Sequence, residues 1–428
     1  MTGLTPDERR VLDAVDDDAI VSDLAALVGI PSVGGTPAEV AVQQWCAERL
    51  RVLGMQVDEW EIDLPSVLAE HDFPGMEVDR VSALGVVGVL GAPSADLTDT
   101  GGVPALAFCG HTDVVPPGER EAWPGGDPFV LRLEEGRAHG RGACDMKGGV
   151  AAMIGATDAL HRSGVHLTRP LAIHCVSGEE DGGLGAFATL RRGHRASACV
   201  ITEPTAELVV PANAGSLTFR IEVPGLATHG SLRWQGVSAV DKLDVVQGAL
   251  RRLEAERNES PPAEFDHLDL PWPLSIGVLR AGDWASTVPD LVVAEGRYGI
   301  RPGESVAEAI AVFEAAVARA SDGDPWLRDH PVRVSWPGGA FAPGVLPDGH
   351  PLLGEVSEAV TTVRGEVPGV RGAPYGSDLR LYAAAGVPTL QYGPGSIQHA
   401  HSVDEHVEVA DLLACARVYA LLALRACR

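Results

Sequence analysis

The chain has 428 residues, 45% of them hydrophobic and 21% charged; this is enough for two or three units with buried cores and excludes low-complexity disorder, which lacks the apolar surface to offset chain entropy. Its 33 basic and 59 acidic residues leave a net charge of -26, which opposes phosphate backbones and anionic lipid and so excludes nucleic acid and membrane surfaces as partners. No apolar run approaches the ~18 residues that span a bilayer, and the seven cysteines, without CxxC spacing, frame neither disulfides nor a thiolate metal site; a cytoplasmic protein is expected.

In chain order, Thr36-Pro37-Ala38-Glu39 has the form of a capping box with proline at the first helical position, and predicts a helix through Trp45 and Leu50 to Gly54. Runs at 81–90, 104–110, 170–176 and 198–202 are near-continuously apolar, the pattern of parallel strands covered on both faces, and 148–164 predicts a crossover helix between two of them. The pattern changes after Pro211. Leu217, Phe219, Ile221 and Val223 alternate with Thr218, Arg220 and Glu222, which predicts a strand wet on one side. A helix at 238–256, strands at 274–280 and 291–300, a helix at 304–320 and a strand at 332–336 complete a β-α-β-β-α-β order, the split ferredoxin-like unit. Beyond residue 339 the α/β pattern returns, with a helix at 351–363, an apolar strand at 387–392 and a helix from Val409. The fold class is therefore α/β with a smaller domain inserted: residues 1–212 and 340–428 form the larger domain and 213–339 the insert.

Open α/β sheets bind ligands beyond the carboxyl ends of their strands. His111 and Asp113 follow one predicted strand, Glu179 and Glu180 the next, Glu203 another, and His399, His401, Asp404 and Glu405 the last; the glycine-rich stretch 140–149 places Asp145 just before a helix. Singly these have bland readings. A His-x-Asp pair is more often a surface hydrogen bond, and Glu179-Glu180-Asp181 a solvated acidic turn. Their recurrence at four strand ends outweighs that. Carboxylates gathered with imidazoles repel one another unless cations neutralise them, and oxygen and nitrogen donors without thiolates suit zinc, cobalt or manganese. Two ions sharing a bridging carboxylate would make a hydrolytic site.

The stretches Gly110-His111-Thr112-Asp113-Val114-Val115-Pro116, Gly140 to Gly149 with its Asp-Met-Lys-Gly-Gly, Gly178-Glu179-Glu180, Thr202-Glu203-Pro204 and Ala400-His401-Ser402-Val403-Asp404-Glu405 together resemble the metallo-aminoacylases and exopeptidases of the M20 clan. The resemblance covers nearly the whole chain and implies a zinc-exopeptidase-like catalytic domain with an inserted lid and dimerisation domain. It implies two divalent ions, zinc first, with cobalt or manganese as alternatives. His111 and Glu203 would hold one ion, Glu180 and His401 the other, and Asp145 would bridge them. Asp113 would accept the second ring N–H of His111, and Glu179 would be the general base toward the water between the ions. His399 would be a neighbour only.

Gly225-Leu226-Ala227-Thr228-His229-Gly230-Ser231 matches the lid motif of that family, which implies a homodimer in which His229 completes the partner's site. Gly376-Ser377-Asp378-Leu379-Arg380 resembles a segment whose arginine, here Arg380, clamps the substrate carboxylate. Ser286-Thr287-Val288-Pro289 departs from relatives with asparagine at the first position, which tilts the reading away from a desuccinylase. The implied function is removal of the acyl group from a small N-acyl amino acid, nearest to acetylornithine deacetylases. The alternatives are a dipeptidase or carboxypeptidase of the same family and, in another class, a non-catalytic binding or regulatory protein that keeps the fold.

Overall fold

The computed structural model describes residues 3–91, 102–338 and 340–428; residue 339, the expected end of the insert, lies outside the described residues. The chain divides into two units, one of Met1–Pro211, Val345–Arg371 and Ser377–Arg428, the other of Ala212–Gly344 and Gly372–Gly376.

The first unit is built on a six-stranded sheet in the order Gln56–Glu61, Leu84–Leu90, Leu171–Val176, Leu106–His111, Cys199–Ile201, Thr389–Gln391. The last four are parallel neighbours. Leu84–Leu90, expected to be parallel, instead runs antiparallel to both of its partners. Its composition misleads because the strand is covered twice: Val86 packs in the core that includes Val42 and Leu50, while Val87 and Val89 face Ala186 and Leu190. An antiparallel strand buried on both faces reads as apolar as a parallel one. The polar edge strand Gln56–Glu61, half exposed, gave no apolar signal.

The expected capping box at Thr36 does not form. The helix is Ala38–Val52 with Pro37 at its cap and no side-chain cap bond. The Thr36 hydroxyl donates to the Val33 carbonyl at 2.7 Å instead of capping the helix, while the Glu39 carboxylate both accepts the Gly35 N–H at 2.7 Å and pairs with Arg80 at 2.9 Å. The predicted crossover helix is Lys147–Ser163, most of it buried. Among the described residues no helix is long and apolar enough to cross a membrane, and all seven cysteines are free and buried.

The second unit has the β-α-β-β-α-β order read from the sequence. Its sheet runs Leu274–Ala281, Leu291–Ile300, Gly215–Pro224, Arg333–Ser335, all antiparallel. Along Gly215–Pro224 burial alternates residue by residue. Leu217, Phe219, Ile221 and Val223 join Val246, Leu250 and Phe313 of the two helices Ala239–Arg257 and Val306–Gly323 in one core, each burial contributing about 1.5–3 kcal/mol. On the other face Arg220 pairs with Glu295 at 3.1 Å.

Candidate metal centre

The strand ends of the first unit deliver the acidic and imidazole side chains. His111 closes Leu106–His111 and is buried. Its Nδ1–H donates to the Asp113 carbonyl at 3.0 Å, which turns Nε2 toward Asp145, whose Oδ1 is 3.0 Å away. The Asp113 carboxylate, expected to accept that ring N–H, stands 3.7 Å from Nδ1. It accepts instead the backbone N–H groups of Glu179 at 3.3 Å and Glu180 at 3.2 Å. Asp113 therefore orients His111 with its backbone and the Glu179-Glu180 turn with its side chain.

The far end of that turn is also anchored. Asp181 accepts backbone N–H groups from Glu77 and Val78 at 3.2 and 3.0 Å, and pairs with the buried guanidinium of Arg80 at 2.6 Å. The solvated-turn reading fails for Asp181, which is buried.

Asp145 sits in the loop that leads into Lys147–Ser163. Its backbone N–H and that of Cys144 both donate to Glu405 Oε1 at 3.1 Å, and Glu405 is itself paired with Arg141, whose guanidinium lies 5.1 Å from the ring centre of Trp123. The helix comes close to the strand Cys199–Ile201 because Gly149 has no side chain: a Cβ there would lie 2.0 Å from the Thr202 carbonyl oxygen. That approach brings Asp145 beside Glu203, the residue after Thr202.

Two donor groups result. His111, Asp145 and Glu203 each offer an atom within 4.8 Å of the others, and so do Asp145, Glu180 and His401; Asp145 belongs to both. His401 Nε2 is 3.2 Å from Glu180 and 3.5 Å from Asp145, and His401 holds a left-handed φ of 61°, an unusual conformation for a residue with a side chain.

Charge crowds here. Burial raises the proton affinity of Glu203, and Asp145 adds to it; burial does the same for Glu179, with Glu203 and Asp378 adding their repulsion, and for Glu180, with Asp145. Burial opposes charge on His111, yet its bond to Asp145 and the surrounding carboxylates hold it well above the imidazole range. His401 is raised to about 10 by its bonds to Asp145 and Glu180. Two imidazoles and three carboxylates that drive protons onto one another are a donor set that divalent cations of the zinc, cobalt or manganese class fit.

The other expected residues lie as follows. Arg380 is buried, and donates to the carbonyls of Ser377 at 2.9 Å and Gly182 at 2.8 Å. His399 packs on His406, 4.2 Å between ring centres. His229 belongs to the second unit, is exposed, and caps the 3₁₀ segment Gly230–Gln235, its Nδ1 accepting from Ser231 N–H at 3.2 Å and lying 2.7 Å from Ser231 Oγ. Sequence reasoning gave no role to Arg141, Glu405, Arg80 or Asp378. The available signal for Arg141 was a cation inside a glycine-rich loop; Asp378, fully buried beside Glu179 and raised to about 6 by that burial, shares its segment with Arg380.

Residues 107–425 match peptidase family M20/M25/M40. The chain is 28% identical over 404 residues to an N-formyl-4-amino-5-aminomethyl-2-methylpyrimidine deformylase of Bacillus subtilis, covering 88% of each protein. It is 31% identical over 335 residues to a succinyl-diaminopimelate desuccinylase of Gluconacetobacter diazotrophicus, covering 74% of this chain and 80% of the relative. In fold it is similar to aminopeptidase PepT of Bacillus cereus, with a TM-score of 0.72 at 18% identity over 97% of this chain and all of that one, and to human carnosine dipeptidase 1, with a TM-score of 0.68 at 18% identity over 98% of each.

Proposed function

The chain belongs to peptidase family M20/M25/M40 and is a metal-dependent hydrolase of amide bonds, and we propose that it removes the acyl group from a small N-acyl amino acid at a centre of two divalent ions. The observation that carries this is the place of Asp145 in both donor groups. His111 and Glu203 would hold one ion and Glu180 and His401 the other, with zinc first and cobalt or manganese as alternatives. Bound there, such ions supply Lewis acidity, acidifying water and polarising the scissile carbonyl.

The chain's own residues do the rest. Glu179, whose burial strengthens its hold on a proton, takes the proton from the attacking water at its carboxylate and delivers it to the leaving amine nitrogen as the C–N bond breaks. Asp113 holds the turn that presents it. Arg380 is assigned to the substrate carboxylate.

His229 is assigned to the carbonyl oxygen of a substrate held by a partner subunit. Because its Nδ1 accepts from Ser231, the neutral ring keeps its proton on Nε2, the donor an oxyanion needs. A homodimer through the second unit is supported by the edge strand Leu274–Ala281 with exposed Val278 and Leu279, and by Trp234 and Trp284, each 73% exposed. Seven free cysteines fit a reducing, cytoplasmic setting.

Relatives named for removing formyl and succinyl groups put both beside acetyl as the acyl group, and likeness to peptidases supports dipeptide cleavage as a second reading. A panel assay of zinc- and cobalt-loaded protein against N-acetyl, N-succinyl and N-formyl amino acids, with acetylornithine among them, and against dipeptides decides. Turnover of an N-acyl amino acid is expected. Turnover of dipeptides alone would replace the deacylase reading, and none at all would reject both substrate classes.

A further inference from the structure

A second cluster of metal-ligating side chains sits on a small three-stranded sheet of the first unit, Arg132–Glu134, Arg137–His139 and His406–Glu408. His139 and His406 are directly opposed in its antiparallel register, so their side chains share a face; their ring centres are 5.0 Å apart. His406 Nδ1–H donates to the Asp404 carbonyl at 2.7 Å. That bond leaves the lone pair of the ring on Nε2, the arrangement that orients a metal-binding histidine. His139 Nδ1 is buried without a hydrogen-bond partner, 3.3 Å from Asp404 Oδ1. A buried polar atom left unpaired is costly and calls for a partner. His139, Asp404 and His406 each offer a donor atom within 4.8 Å of the others.

We propose that His139, Asp404 and His406 form a further metal site, for a divalent transition ion of the zinc class, distinct from the centre built on Asp145. Two imidazoles and one carboxylate select zinc, nickel or copper over magnesium or calcium, which take oxygen donors. A zinc ion held there would take bonds of about 2.0–2.2 Å to these donors. The Asp404 side chain is 64% exposed, which opens a path for the ion and room for water as a fourth ligand. The site has a structural use. His139 immediately precedes the loop that carries Asp145, and Asp404 follows His401 by three residues; the two segments are already joined by the Gly140 N–H to the Glu405 carbonyl at 3.0 Å. An ion across His139, Asp404 and His406 would clamp them together.

The inference does not rest on the reading of the protein as a deacylase, and the test separates the two. The full chain is dialysed to equilibrium against low-micromolar free zinc and its zinc content measured by mass spectrometry, for wild type, Asp404→Ala, His139→Ala and a His111→Ala/Glu203→Ala double variant, each checked for folding by near-UV circular dichroism. Asp404→Ala and His139→Ala should each bind one equivalent fewer than wild type, and adding Asp404→Ala to the double variant should remove one equivalent more. Asp404 is exposed, so its replacement keeps the test open if His139→Ala fails to fold. A folded Asp404→Ala chain that binds as much zinc as wild type overturns the proposal. A double variant that loses no zinc while Asp404→Ala loses one would instead overturn the Asp145 centre and leave this site standing.

Discussion

The Asp113 carboxylate accepts the backbone N–H of Glu180 at 3.2 Å, and so ties the turn carrying one donor group to the segment that orients His111 of the other. Asp113→Ala removes that tether and the one to Glu179. The account predicts weaker metal retention and a kcat lower by about 10- to 100-fold, the usual range for losing a group that orients ligands. Asp113→Asn, which keeps an acceptor oxygen, should fall between. Wild-type metal content and turnover in Asp113→Ala would show that the turn holds itself.

Removing the metal should make stability depend on pH in one direction. Glu180 and Glu203 are raised from an ordinary 4.5, His111 is raised above 6.5 and His401 to about 10. Groups with raised folded-state pKa bind protons more tightly when folded, so stability present at low pH is lost as pH climbs through those values. Chelated protein should therefore lose Tm relative to the zinc-loaded protein from about pH 5 toward pH 10, because bound cations take the place of those protons. A Tm gap between zinc-loaded and chelated protein that stays constant across this range would contradict the assigned ligands.

Much of the fold was legible because hydrophobic period is a direct record of burial. Leu217 to Val223 alternates in sequence and in burial alike, and the helix and strands around it came out within a few residues. Strand direction was not legible. Leu84–Leu90 is covered on both faces whichever way it runs, so its apolar run carried no information on orientation. The Thr36 capping box failed because its hydroxyl turns back to the Val33 carbonyl while Glu39 takes the Gly35 N–H, and the pairing of Glu39 with Arg80 is one that local spacing cannot register. At the candidate site the donors were legible as imidazoles and carboxylates after strands, while the parts that hold them were not: Glu405 reaches the Cys144 and Asp145 amides across 260 residues of chain, and nothing in the sequence marks a carboxylate that binds backbone rather than metal.

Arg380 separates binding from support. If it holds the substrate carboxylate, Arg380→Ala raises KM by about 10- to 100-fold with a smaller change in kcat, and Arg380→Lys recovers part of the loss. If it serves only to brace the Gly182 carbonyl, Tm falls and KM stays put.

His229 acting across a dimer makes a demand that a surface histidine does not. Inactive His229→Ala and Glu179→Gln chains, mixed under conditions of verified subunit exchange, should regain part of the wild-type turnover, because one of the two sites in each mixed dimer has both residues intact. A mixture as inactive as its parents, or an active monomer in sedimentation, would remove His229 from the partner's site.

The most direct test of hydrolysis by a half-buried carboxylate at the proposed two-ion centre is Glu179→Gln, assayed for metal content and turnover on the same preparation. Glutamine keeps the shape and the backbone bond to Asp113 and lacks the proton-accepting carboxylate. Metal content should equal wild type while kcat falls by about 10²- to 10⁴-fold, the range expected for lost acid–base catalysis. A fully metallated Glu179→Gln enzyme with near-normal kcat would contradict it.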